Sequence, residues 1–145
     1  MDDTQIMRSL IAYTRARALK YRTFTGAFIV REGEVIGRDI ASIEPEQNPL
    51  AHAELKVVQG TLAKYGPELE GCTLYTTQRP CPMCASAIVW SGIGKVVYGW
   101  APSDYQWGTF GRAQQFFTEL GVGYIGPILE EECRAIEAYL VENGV

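Results

Sequence analysis

Apolar and polar positions repeat with two different periods along this chain, and each change of period marks an element. From Asp3 to Leu19 apolar side chains recur at Ile6, Leu10, Tyr13 and Ala16 or the other neighbour of Arg17, a helical stripe that Asp3 or Thr4 would cap. Gly26–Val30 and Val35-Ile36 flank Arg31-Glu32-Gly33-Glu34, the pattern of a β-hairpin with a short glycine turn. The punctuation from Ile43 to Pro49 predicts a loop. A helix then starts near Leu50 or Ala51 and runs to about Tyr65, where Gly66-Pro67 stops it. Thr73–Thr77 is β-branched and aromatic, hence a strand. Gln78-Arg79-Pro80 reads as a loop and Cys81–Ser91 as a helix ended by Gly92, with Trp90 expected in the core. Lys95–Gly99 is a further strand, and Ala101–Gly108 is irregular. Arg112–Leu120 reads as a helix, Val122–Ile125 as a short strand and Leu129 to Glu142 as a last helix. Strands alternating with helices after the hairpin predict an α/β sandwich, parallel in its later part. Ligands of such folds collect at the edge where the parallel strands end.

Composition narrows the class. A length of 145 residues suits one domain spanning 1–145, and 47% hydrophobic with 21% charged residues is ordinary for a globular chain. No apolar run approaches the roughly 18 to 20 residues of a membrane span. The acidic start Met1-Asp2-Asp3-Thr4 lacks the basic region of a secretory signal, so the expectation is a cytoplasmic protein with no membrane partner. Net charge is −4. The one basic cluster, Arg15 to Arg22, reads as a solvated helix face rather than a phosphate grip. A small-molecule partner is therefore favoured over nucleic acid.

The candidate chemistry centres on His52, the chain's single histidine, in Ala51-His52-Ala53-Glu54. Downstream, Pro80-Cys81-Pro82-Met83-Cys84 places two cysteines at i and i+3 on one side of a helix start. Zinc favours imidazole nitrogen and thiolate sulfur, and a catalytic site uses three protein ligands with the fourth position left to water. His52, Cys81 and Cys84 make three. A helix N-terminus favours the thiolate form, and Pro82 suits the first helical turn, where its missing N–H is not needed. Two rivals remain at this level. A redox C-x-x-C gives no reason for Glu54, and a structural zinc site needs Cys72 or Cys133 as a fourth ligand. Cys72 lies at the far end of the Thr73–Thr77 strand, roughly 16 Å from Cys81 at about 3.3 Å per residue. Cys133 falls in a helical stripe with Ile136 and Leu140, where a buried free cysteine is common. Glu54 is placed to carry a proton for a zinc-activated water that attacks an aminated ring carbon.

H-x-E followed by P-C-x-x-C is the signature of zinc deaminases, and the chain resembles the cytidine deaminase-like superfamily. It most resembles the branch of guanine, fungal-type cytosine and bacterial tRNA adenosine deaminases. Gly26–Val30, Pro49–Glu54 and Thr77–Cys84 through Ala87–Ser91 carry the likeness. The resemblance implies a three-layer α/β/α sandwich around a five-stranded mixed sheet. It also implies zinc on His52, Cys81 and Cys84, and proton transfer by Glu54. Backbone N–H groups of Ala53 and Cys81 are expected near the substrate oxygen. Asp104, Trp107 and Phe110 are candidates to line the substrate pocket, with core or dimer packing as the rival role for the two aromatics. Members are usually homo-oligomers.

Three positions depart from that pattern. Arg79 stands where glutamate is usual. Ala41 stands where an asparagine binds the base, and Ser42 beside it could substitute only if the loop shifts. Gly111-Arg112 replaces the acidic residues that follow in guanine deaminases. A site built on hydrogen bonds discriminates through them, so these changes imply altered recognition. The expected activity is hydrolytic removal of an exocyclic amine, as ammonia, from a small purine, pyrimidine or related heterocycle. The alternatives are a tRNA adenosine deaminase, or a non-catalytic zinc-stabilised subunit.

Overall fold

The structure, a computed structural model, describes residues 1–102 and 112–145, with the side chains of 112–114 left aside. In chain order the elements are α1 (Asp3–Tyr21), β1 (Gly26–Arg31), β2 (Glu34–Ile40), α2 (Ile43–Glu46) and α3 (Ala53–Tyr65). They continue with β3 (Cys72–Gln78), α4 (Pro82–Ser91), β4 (Lys95–Trp100), α5 (Arg112–Glu119), β5 (Gly123–Ile125) and α6 (Glu130–Glu142). The sheet runs β2-β1-β3-β4-β5. β2, β1 and β3 pair antiparallel, whereas β3, β4 and β5 are parallel. The mixed five-stranded sheet and the parallel later half agree with the sequence.

Strand alternation builds the two helical layers. Ala27, Ile29, Leu74 and Val96 face one side, packed on Val57 and Val58 of α3, Ile88 of α4 and Phe117 of α5. Phe28, Val30, Tyr75 and Val97 face the other, against Ile6, Met7 and Leu10 of α1 and Cys133 of α6. This period of two is what a sheet covered on both faces requires.

Several local readings are corrected. Asp2, not Asp3 or Thr4, caps α1 through a reciprocal pair with Gln5. The buried stripe of α1 is Ile6, Met7, Leu10, Thr14 and Ala18; Ala16 is exposed. The segment predicted as loop after β2 contains the one-turn helix α2. Trp90 is 88% exposed rather than in the core. The buried positions of α4 are Cys84, Ala85, Ile88 and Ser91, and Trp90 lies about 200° around the helix from Ile88 at 3.6 residues per turn. The basic cluster is a solvated face as expected, with Arg15, Lys20 and Arg22 exposed and Arg17 half-buried. Arg15 stacks over Tyr139 and Arg17 over Tyr13, while Arg22 pairs with Glu44 at 2.7 Å.

Gly26, where β1 begins, crosses close beneath α1. A Cβ there would run into Oγ1 of Thr14, which is buried and donates to the Leu10 carbonyl at 2.8 Å. Gly26→Ala is expected to lower unfolding stability by about 1–3 kcal/mol, the usual cost of overpacking. Denaturant midpoints measure it, and the Gly26→Ala/Thr14→Ala double variant should recover part of the loss relative to Thr14→Ala alone.

Candidate metal and catalytic site

The start of α3 and the start of α4 meet beside the C-terminal end of β3. His52 is the extended N-cap residue of α3, so its side chain projects ahead of the first turn. Cys81 is the corresponding residue of α4, with Pro82 at the first helical position; Cys84 lies one turn on and donates its N–H to Cys81 Sγ at 3.5 Å. Nδ1 of His52 stands 3.6 Å from Cys81 Sγ and 3.6 Å from Cys84 Sγ. All three candidate ligand atoms lie within 4.8 Å of one another. A tetrahedral ion with Zn–N near 2.05 Å and Zn–S near 2.3 Å would set nitrogen and sulfur about 3.6 Å apart. The triangle therefore has the size of a zinc site, and its donor atoms are the N and S types that zinc prefers.

Electrostatics prepare the same triangle. Hydrogen bonding by the Cys84 thiol and by His52 draws the Cys81 thiol down to about 4, while Cys84, its partner, is pushed up. These shifts favour the thiolate at Cys81, at the positive end of α4. Hydrogen bonding to Cys81 raises the His52 imidazole above its usual range against the opposing effect of burial, with the Pro49 carbonyl a smaller contributor.

Glu54 is buried in the first turn of α3, within the layer between helix and sheet. Its Oε1 accepts from Thr76 Oγ1 of β3 at 2.6 Å. Burial pushes its carboxyl above the usual range, opposed by that Thr76 hydrogen bond. The same hydroxyl lies 2.7 Å from the Gln78 carbonyl. It has one hydrogen and two acceptors. When Glu54 carries a proton it can donate to Thr76, and Thr76 then donates to Gln78. Thr76 suits either state of a carboxyl that passes protons.

A cavity of about 560 Å³ opens onto this group, bordered by His52, Ala53, Glu54 and Cys81 on the metal side. That volume suits a small ligand. Its lining also includes Arg22, Phe24, Thr25, Ala41, Gln78 and Arg79. The wall after β2 is tied down by Lys56 of α3. Its Nζ reaches the Ile40 carbonyl at 2.9 Å and Ser42 Oγ at 2.6 Å. It also pairs with Asp39 at 3.2 Å and Glu46 at 3.4 Å, and Ser42 in turn bonds Glu46. Ser42 is thereby committed to Lys56 and Glu46.

The structure brings together His52, Ala53, Glu54, Cys81 and Cys84. It does not bring in Cys72 or Cys133; both are buried elsewhere and free, which removes the donors a four-ligand structural zinc site would need among the described residues. Asp104, Trp107 and Phe110 lie outside the described residues. Thr25, Lys56, Thr76 and Gln78 join the site without having been singled out in the sequence. Their contacts span 14 to 53 positions, and no local motif marks them.

An N,S,S triangle, a buried glutamate at its side and a pocket in front define a zinc-dependent deaminase, a hydrolase that releases an exocyclic amine from an aminated heterocycle. Comparison with known proteins gives the same class. The family model for the cytidine and deoxycytidylate deaminase zinc-binding region matches residues 1–100, and the chain belongs to that family. The chain is 36% identical over 136 residues to the tRNA-specific adenosine deaminase of Bacillus subtilis (strain 168), covering 90% of this chain and 83% of that protein. It is 35% identical over 80 residues to the guanine deaminase of the same organism, covering 54% of this chain and 51% of that protein. A solved structure from work on A-to-I editing by tRNA:A34 deaminases superposes with a TM-score of 0.77 at 26% identity, covering 91% and 99% of the two chains. Zinc is the metal of the family, and the donor set fits it. No helix among the described residues is long and apolar enough to cross a membrane.

Proposed function

We propose that residues 1–145 form one deaminase domain that acts on a small aminated purine, pyrimidine or related heterocycle. The observation that carries this reading is the His52, Cys81 and Cys84 triangle beside buried Glu54 at the end of the pocket. His52, Cys81 and Cys84 would hold the zinc, which when bound supplies the Lewis acidity that lets water lose a proton near neutral pH.

Glu54 accepts that proton as the water oxygen bonds to the aminated carbon. It delivers the proton to the adjacent ring nitrogen, then takes the second proton from the newly bonded hydroxyl and carries it to the departing amine as the carbonyl forms. The C–O bond forms, the C–N bond breaks, and the products are the ring carbonyl and ammonia. Ala53 and Cys81 stand at the first turn and the cap of two helices, where backbone N–H groups have no helical acceptor. Those N–H groups would receive the developing oxygen charge.

Thr76 would hold Glu54 in line. Thr76→Val is expected to lower kcat about 10- to 100-fold with little change in KM, the usual cost of losing an outer-shell partner. Thr76→Ser should recover most of it. Equal losses for Val and Ser would remove Thr76 from this role.

A tRNA substrate is the second reading, favoured by the likeness to the Bacillus subtilis tRNA-specific enzyme along 83% of its length. The net charge of −4 and the absence of the base-binding asparagine at Ala41 weigh for the small molecule. A panel of purines, pyrimidines, pterins and triazines assayed for ammonia, beside tRNA assayed for inosine, separates the two. Turnover of tRNA alone would reverse the preference.

The chain is proposed to work as a homo-oligomer in the cytoplasm. Four cysteines free of disulfides fit a reducing compartment. Trp90, 88% exposed on α4, is the kind of side chain that anchors interfaces. Trp90→Glu is expected to convert the assembly to monomer in sedimentation. An unchanged sedimentation coefficient would place the interface elsewhere.

A further inference from the structure

The family's base-binding amide is missing at Ala41, yet the pocket contains a carboxamide two strands away. Gly26 pairs with Ile40 and Ala27 with Thr76, so the antiparallel registers continue to set Thr25 opposite both Ala41 and Gln78. The Ala41 N–H bonds the Thr25 carbonyl at 3.0 Å, consistent with that register. Ala41, Thr25 and Gln78 thus form one row across three neighbouring strands. They share the parity of Ala27, Ile29 and Leu74, which face the α3 and α4 layer, and all three border the cavity. With about 4.8 Å between strands, Gln78 stands roughly 10 Å along the row from Ala41, on the side of Cys81.

Thr25 Oγ1 donates to Gln78 Oε1 at 3.0 Å. This bond engages one lone pair of the amide oxygen, and among the described residues no acceptor meets the NH₂ group, which is left as the donor end of the side chain. The backbone beneath is held as well, by the pairing of Gln78 with Trp100 of β4. The amide is therefore a donor on a fixed mount.

Resting on the deaminase reading above, we propose that Gln78, oriented by Thr25, is the specificity-determining residue that takes over from the absent asparagine. It would donate to a ring nitrogen or carbonyl oxygen of the substrate. The substrate class is an aminated heterocycle carrying such an acceptor on the edge turned toward β3. The reading edge lies on the metal-loop side of the row, whereas an amide at position 41 would read from the β2 side.

Calorimetric binding of cytosine, guanine and adenine to the zinc-loaded protein tests the assignment, with Gln78→Leu, Gln78→Glu and Thr25→Val alongside the parent. The compound bound most tightly by the parent should lose about 10-fold or more in affinity on Gln78→Leu, because its acceptor is left unpaired. Gln78→Glu keeps the shape but replaces the donor by an acceptor, so it should lose at least as much; Thr25→Val should lose less. Zinc content and melting temperature equal to the parent's establish that the variants are folded, and either Gln78 variant alone suffices if the other is not. Affinities within twofold of the parent for the folded Gln78 variants, or an unchanged affinity for Gln78→Glu, overturn the donor role. Failure of all three compounds to bind the parent overturns it too. Binding without ammonia release from any compound would instead overturn the deaminase reading, with Gln78 still decided by the affinity difference.

Discussion

Glu54→Gln is expected to reduce ammonia release by about 10³- to 10⁴-fold while zinc content and melting temperature stay near the parent's values. The reason is the division of labour in the site. Glu54 is not in the N,S,S triangle, so its replacement leaves the donors untouched. Gln keeps the length and can still bond Thr76, whose hydroxyl stands 2.6 Å from the present carboxylate. What Gln lacks is the ability to take and return a proton, and in the proposed reaction every proton movement between water, ring nitrogen and leaving amine runs through that group. A drop of less than tenfold with full zinc would mean that another group carries the protons.

Replacement of a triangle member has the opposite signature. Cys84→Ala is expected to lower zinc from about one ion per chain to near zero, and to remove activity with it, since three donors are the minimum for a catalytic site. Stability should fall as well. Zinc binds only the folded arrangement, so its loss removes the stabilisation that binding adds by mass action. Chelation of the parent should lower its melting temperature toward that of the variant, and added zinc should restore the parent alone. Retention of stoichiometric zinc by Cys84→Ala, read by elemental analysis, would show that the metal sits elsewhere. Cys81→Ala is expected to behave alike, whereas Cys72→Ala and Cys133→Ala should keep zinc, because both thiols lie in the apolar layers.

The contrast between the metal triangle and the pocket wall explains how far the sequence could be read. His52, Glu54, Cys81 and Cys84 were legible because each pair lies within one helix start. There, spacing along the chain translates directly into spacing in the fold. The helical layers were legible from the strands that alternate with helices after the hairpin. Trp90 was misread because α4 is apolar nearly all round, with Met83, Ala85, Ala87, Ile88 and Val89 as neighbours. No polar stripe marks which side faces out. The one-turn helix α2 is shorter than a period can reveal, and it is held by Lys56 from another element. Thr76 meets Glu54 only through the packing of α3 on the sheet, and Gln78 meets Thr25 only through sheet register, across 22 and 53 positions. Ala41 stood out in the sequence as a departure from the family pattern, whereas the contact proposed for Gln78 did not.

The central claim is hydrolysis of a C–N bond by this one site. The most direct measurement incubates the zinc-loaded protein with its best heterocyclic substrate in ¹⁸O-labelled water and quantifies ammonia and product together. The expected result is one ammonia released per product and one ¹⁸O atom in each product carbonyl, both absent with Glu54→Gln. Product formed without ¹⁸O, or no ammonia from any heterocycle or from tRNA, would contradict the account.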